Sequence, residues 1–314
     1  MQKQYTRHLL MIRPAAFQFN AETALSNAFQ QELKGLSEDE IKRRAIEEFD
    51  GYVATLRTNG IDVIVFQDKP EPPKPDALFP NNWISMHRSG TVYLYPMCTP
   101  NRRIERNPEA LDLLKTKFEV KEIIDLSRFE LENKFLEGTG SIIFDHPNKI
   151  AYACLSPRTD KQLFENFCRQ TGYEACTFIA SDENDNLVYH TNVMLTMGDT
   201  FAVVCGDSIK NEYERIDLFA KLEQTGHEII DIRFEQMNHF AGNMLQVEND
   251  KSETFLVMSH SAYDSLSKEQ IISLEKHTHL LSVSIPTIET IGGGSARCML
   301  AEIFLPVKGS LQNE

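Results

Sequence analysis

From about residue 80 onward, apolar and polar positions repeat one order: a short apolar run, a polar turn, a second apolar run, an amphipathic helix pattern and a third apolar run. Gly140 to Ile179 has Ser141–Phe144, a turn at Asp145–Asn148, Ile150–Leu155, a helix over Thr159–Gln170 and a strand over Glu174–Ile179. His190 to Ile232 follows with Val193–Leu195, Gly198–Asp199, Phe201–Cys205, a helix over Asn211–Gln224 and Glu228–Ile232. Asn82 to Asp125 and Asn243 to Ile285 read the same way, with helices near Glu109–Thr116 and Lys268–Lys276. The helical stretches place apolar residues on one face, as in Leu163, Phe164, Phe167 and Cys168, so they should pack outside the sheets.

A period of roughly fifty residues lies in the range of propellers and arrays. The two ends of the chain supply a fifth copy: Met299–Phe304 as first strand, Leu9–Ile12 as second, Glu38–Thr58 as helix and Ile61–Phe66 as third. The expected fold is therefore an α/β five-module propeller, pseudo-fivefold and closed by both termini, with residues 1–314 forming a single catalytic domain. In that arrangement the segments leading into each first strand meet at one end of a central channel. They are Phe79–Asn82, Glu137–Gly140, His190–Asn192, Asn238–Asn243 and the Gly292–Cys298 loop. Solvated loops explain the asparagines; they explain less well why a Cys, a His and a Glu each occupy one of these points.

Composition narrows the function. A formal charge of −14 disfavours nucleic acid and anionic membrane surfaces and suits a cationic or zwitterionic small molecule. No stretch approaches a membrane span, and the short apolar run Leu9–Ile12 is no signal-peptide core. Six cysteines without a CxxC pair read as reduced thiols of a cytoplasmic protein. His277-Thr278-His279 lacks clustered partners, so no metal is expected, and the glycine run is not a nucleotide fingerprint, so no cofactor is expected either. A homo-oligomer is compatible with all of this.

The run Ile291-Gly292-Gly293-Gly294-Ser295-Ala296-Arg297-Cys298-Met299 delivers one cysteine on a segment able to bend closely around a ligand. A thiolate is the reactive form of cysteine, and His190, whose intrinsic pKa lies near neutrality, is suited to move its proton. Glu137 could hold a planar ureido or cationic group through paired hydrogen bonds. The other five thiols, at Cys98, Cys154, Cys168, Cys176 and Cys205, read as structural. The proline-rich stretch Lys69–Pro75 reads as a stiff flap beside Asp76–Asn82.

On these residues, above all the Gly292–Met299 segment, the chain resembles the guanidino-group-modifying superfamily of amidinotransferases and arginine deiminases, which has the pentein fold. The resemblance runs along nearly the whole chain. It implies Cys298 as nucleophile, His190 as general acid and base, and Glu137 as the orienting carboxylate. It also implies Arg158, in Ser156-Pro157-Arg158-Thr159, for the substrate α-carboxylate, with Arg102 or Arg103 contributing, and it places Asp76 and Asn243 among the substrate-binding residues.

Arginine deiminases commonly carry aspartates where this chain has Asn82 and Asn192. Paired carboxylates hold a guanidinium through charge-assisted bonds, whereas an asparagine offers a donor and an acceptor but no charge. The expectation is a cysteine hydrolase acting on a neutral ureido group, as in citrulline. Deimination of arginine, hydrolysis of a methylated arginine, amidino transfer and a non-enzymatic binding role stand as alternatives.

Overall fold

A computed structural model describes residues 2–33 and 35–309. The chain enters with β1 (His8–Arg13), crosses over through the helix Glu38–Thr58 and returns as β2 (Asp62–Gln67), parallel to β1. Three further elements follow: β3 (Ile84–Met86) and β4 (Thr91–Leu94) form an antiparallel hairpin, and β5 (Glu122–Asp125) pairs parallel with β4. The same order recurs in β6 (Ile143–Asp145), β7 (Ile150–Cys154) and β8 (Glu174–Phe178). It recurs again in β9 (Leu195–Met197), β10 (Phe201–Val204) and β11 (Glu228–Asp231), and in β12 (Leu245–Glu248), β13 (Thr254–Ser259) and β14 (His279–Val283). Finally β15 (Ala301–Glu302) adds antiparallel to β1, so the first sheet is built from both ends of the chain. The result is five three-stranded sheets, as the repeat predicts.

The order follows from connection lengths. A few residues suffice to turn a hairpin, whereas a parallel neighbour needs a crossover, which each module supplies as a helix. Those helices start at side-chain caps: Asp160 accepts from the Leu163 amide, and Ser267 forms a reciprocal capping box with Gln270. In the helix Lys161–Thr171, Leu163, Phe164, Phe167 and Cys168 are buried, and burying a ring such as Phe164 stabilises the fold by about 2–3 kcal/mol. Middle strands β7 and β10 are buried along their whole length, which accounts for their unbroken apolar runs. Leu10 and Ile12 share a cluster with Ile84, Val92 and Ile303, binding the N-terminal strand to the C-terminal segment. No helix among the described residues is long and apolar enough to cross a membrane.

Two expectations need correction. The first strands of the third and fourth modules start at Ile143 and Leu195, not at Ser141 and Val193, because the lead-in residues close single helical turns. The Ser141 amide bonds the Glu137 carbonyl at 3.1 Å, and the Met194 amide bonds that of Thr191 at 3.1 Å. The helix Pro286–Gly292, preceding the cysteine loop, escaped the hydrophobic pattern altogether.

Candidate active site

The lead-in turns converge. Cys298 sits in a 3-10 turn, Ala296–Met299, closed by its own amide on the Ser295 carbonyl at 3.0 Å. The glycine run before it fits tightly at Gly293. Gly293, at φ +59°, ends the helix Pro286–Gly292 in the left-handed region, and a Cβ there would lie 2.5 Å from Gln30 Cγ. Its carbonyl accepts from Tyr189 Oη at 2.6 Å and Asn27 Nδ2 at 3.0 Å. Gly140 has a similar role across the pocket: a Cβ there would meet Asn82 Nδ2 at 2.5 Å and His190 Nδ1 at 2.8 Å.

The sulfur of Cys298 is 4% exposed and faces two amide donors, Asn243 Nδ2 at 3.3 Å and Asn192 Nδ2 at 3.4 Å. Asn243 is itself fixed by donating to the Asn192 carbonyl at 2.8 Å and accepting from the Arg297 amide at 3.0 Å. The thiol in turn has an acceptor in Asn243 Oδ1 at 3.7 Å. Asn192 Oδ1, by contrast, is buried without a partner among the described residues, an acceptor left for a ligand's N–H.

His190 bonds Glu137 through Nε2 at 2.8 Å. Burial pushes Glu137 up, but Arg158, the His190 bond and Arg102 more than reverse it, and its carboxyl sits at about 2. Burial lowers His190 to about 4 against the opposing pull of Glu137, with Arg158 and Arg102 adding to the lowering. The ring is therefore neutral at pH 7. With Glu137 accepting the Nε2 proton, Nδ1 carries the lone pair. Glu137 Oε1 accepts from the Cys98 amide at 2.9 Å, while Arg158 Nη1 stands 3.6 Å from Oε2, the oxygen bonded to His190.

Two buried arginines flank the pair. Arg102 holds Glu105 through two bonds of 2.9 and 2.8 Å, donates to Asn82 Oδ1 at 2.8 Å and lies 3.7 Å from Asp76. Burial raises Glu105 to about 7, with Arg102, bonded to it twice, opposing the rise. Arg158 stacks 4.9 Å from the Tyr189 ring and donates to Ser26 Oγ at 2.8 Å and the Thr23 carbonyl at 3.2 Å. Asp76 accepts from Asn20 at 2.7 Å and Thr23 at 3.3 Å, yet its Oδ1 is unpartnered; burial raises its pKa against the pull of Arg102.

Cys298, His190, Asn82, Arg102, Arg158 and Asp76 thus line one narrow pocket of about 270 Å³, with Glu137, Asn192 and Asn243 bonded directly behind its wall. Arg103 is not part of it and donates instead to the Met97 and Cys98 carbonyls. Nor does Lys69–Pro75 cover it: Lys74 is buried against Asp68 at 2.8 Å, and the cover is Asn20–Gln30, whose Thr23 and Asn27 line the pocket. That segment is aperiodic, and its tertiary partners lie from 53 to 266 residues away, so no local pattern marks it. Glu105 was also missed, although its spacing of three from Arg102 was a usable signal. His277 is tied to Thr200 and Glu228, and the described residues contain no group of three or more His, Cys, Asp or Glu that could hold a metal.

The family model of the eukaryotic N,N dimethylarginine dimethylhydrolases matches residues 13–305, and the chain belongs to that family of carbon–nitrogen hydrolases. No curated protein matches it by sequence. Its fold is similar to the N-terminal domain of ArgZ, an arginine dihydrolase from the ornithine–ammonia cycle in cyanobacteria, at TM-score 0.72 and 16% identity over 95% of this chain and 98% of that one. Unliganded AgrE aligns at TM-score 0.74 and 16% identity, covering 97% of this chain and 40% of that one. A dimethylarginine dimethylaminohydrolase variant, solved as an adduct with S-methyl-L-thiocitrulline, aligns at 0.64 and 14% over 96% and 100%.

Proposed function

We propose that this member of the dimethylarginine dimethylhydrolase family is a cytoplasmic, single-domain, closed five-module hydrolase that cleaves the ureido group of citrulline through a covalent intermediate on Cys298. The observation that carries the citrulline reading is the distribution of charge in the cysteine pocket. Glu137 and Glu105 are committed to His190, Arg158 and Arg102, while Asn82 and Asn192, beside the reacting centre, are neutral. A guanidinium buried there would add a cation whose neighbours at the reacting end are neutral amides, which costs several kcal/mol. A ureido group adds none, and its N–H groups suit the empty Asn192 Oδ1.

The zwitterionic end of the substrate matches the rest of the pocket. Arg158 and Arg102 attract the α-carboxylate, and the unpartnered Asp76 Oδ1 accepts from the α-ammonium. Cys298, with its developing charge held by the Asn192 and Asn243 amides, attacks the ureido carbon. Its proton passes to His190 Nδ1, the ring nitrogen not tied to Glu137, and from there to the departing nitrogen. Glu137 stabilises the transient imidazolium. Water, deprotonated by the same histidine, then releases the acyl group from sulfur.

Arginine, the substrate of the arginine dihydrolase ArgZ, and methylated arginines, after which the family is named, are the competing substrates. Incubation with citrulline, quenched in acid, should give ornithine together with a mass adduct on the peptide carrying Cys298. Absence of both product and adduct with citrulline, while arginine or dimethylarginine yields them, would move the substrate to the cationic class.

A further inference from the structure

The strands that present Asn82 and Glu137 to the cysteine pocket run away from it, and their far ends form a second cavity. Beyond β3 come His87 and Arg88; beyond β6 come His146 and Lys149. These residues line an open-sided space of about 1030 Å³, almost four times that of the cysteine pocket. Five of its wall residues carry rings: His87, Tyr93, His146, Tyr173 and Phe304. The rings of His87 and Tyr93 meet edge to face at 5.1 Å, and those of His146 and Phe304 at 4.6 Å. His146 Nδ1 is bonded to Tyr173 Oη at 2.6 Å, and His87 Nε2 to Ser85 Oγ at 2.7 Å.

Its charge is unlike that of the cysteine pocket, where every arginine has a carboxylate. Arg88 lies 4.6 Å from the Phe304 ring centroid and spends one terminal nitrogen on the Lys3 and Tyr5 carbonyls. Lys149 Nζ lies 4.6 Å from the Tyr173 ring centroid. Among the described residues neither cation forms an ion pair, and the single carboxylate on the wall, Glu122, is exposed. Burial, with Lys149 adding like charge, lowers His87 to about 4; burial, then His87, Arg88 and Lys149, holds His146 well below its ordinary value. Both imidazoles are thus neutral walls at pH 7, and the positive charge is concentrated on Arg88 and Lys149. In a chain of net charge −14, two cations without an ion pair among the described residues line one cavity, with Glu302 and Glu248 acting on Arg88 from a distance.

We propose that this cavity is a second ligand site, distinct from the cysteine pocket, that takes a small organic phosphate. Arg88 and Lys149 hold the phosphoryl group, and a planar ring lies along the wall of His87, Tyr93 and Phe304. The proposal does not depend on which substrate Cys298 attacks. Calorimetric titration of the purified chain with adenosine 5′-monophosphate, inorganic phosphate and adenosine tests it. The nucleotide should bind saturably, and more tightly than phosphate or adenosine alone. Lys149→Gln and Arg88→Gln should each weaken it at least fivefold while turnover at Cys298 and thermal stability persist. Among the described residues the Lys149 side chain makes no hydrogen bond, and the carbonyl that accepts from the Glu174 amide is kept in the variant, which guards against a folding artefact. Absence of saturable nucleotide binding at millimolar concentration, or unchanged affinity in both variants, overturns the site. Phosphate binding as tightly as the nucleotide overturns the role of the ring wall.

Discussion

Cys154, at the end of β7, and Cys298, in its lead-in turn, are both nearly sealed from solvent, yet their sulfurs have different surroundings. The Cys154 thiol donates to the Val188 carbonyl at 3.5 Å, and burial pushes its pKa up to about 12. The Cys298 sulfur receives two amide N–H groups, has Asn243 Oδ1 at 3.7 Å as an acceptor for its own proton, and lines the pocket that His190 shares. A thiol buried away from any base stays protonated and inert, whereas one that shares a pocket with a histidine has a group to take its proton. Burial likewise raises Cys205, in the next module, to about 12.

The sharpest way to break this contrast is to exchange the two kinds of thiol. Cys298→Ala should reduce turnover at least ~1000-fold with the fold intact, because covalent catalysis is removed. Cys154→Ala should leave turnover within about twofold while lowering stability by ~1–2 kcal/mol through the lost packing. Steady-state rates and thermal melts of the two variants check both statements; a Cys298 variant retaining a few per cent of activity would remove it as nucleophile.

Next in size is Glu137→Gln, which leaves His190 without the carboxylate that fixes its tautomer and stabilises its imidazolium. A fall of ~100–1000-fold in kcat with a smaller change in KM is expected. An unchanged kcat would limit Glu137 to holding the Cys98 amide and Arg158.

Replacing neutral amides with carboxylates sharpens the substrate side. Asn82→Asp combined with Asn192→Asp should shift kcat/KM toward arginine over citrulline by at least about tenfold, since each charged hydrogen bond contributes about 1.5–3 kcal/mol. Arg158→Ala should weaken both substrates alike, because both carry the α-carboxylate. Kinetics on the two amino acids with each variant separate these effects.

The smallest effect is on stability in acid. His190 and His87 have folded values of about 4, below the ordinary 6.5, so the unfolded chain binds more protons between those values. Their contribution is complete above pH 6.5 and is lost as pH falls toward 4. Glu137, lowered from 4.5 to about 2, adds a loss in the next window down. The melting temperature should therefore fall on acidification from pH 6.5 to 4, and His190→Gln should flatten that slope. An equal slope in the variant would show that His190 does not titrate there.

The modular order was legible because each middle strand is an apolar run bounded by a polar turn and an amphipathic helix, as at Phe201–Val204 and Glu212–Gln224. The lead-in residues were legible as a polar set, but not as helical turns, because three or four residues such as Thr191–Val193 are too few to show a period. Helix Pro286–Gly292 carried one signal, a proline at its first position. The part of the site built by Asn20–Gln30 had no such mark. Thr23 and Ser26 reach Arg158 and Asn27 reaches Gly293 by tertiary contacts alone, and the two amides on the Cys298 sulfur were likewise invisible as donors until the turns converged.

Whether a neutral ureido group, and not a guanidinium, fits beside Cys298 is decided by kcat/KM measured side by side for citrulline, arginine and asymmetric dimethylarginine. Citrulline should be the best substrate by at least about tenfold. Faster turnover of arginine or dimethylarginine would contradict the neutral-pocket reading.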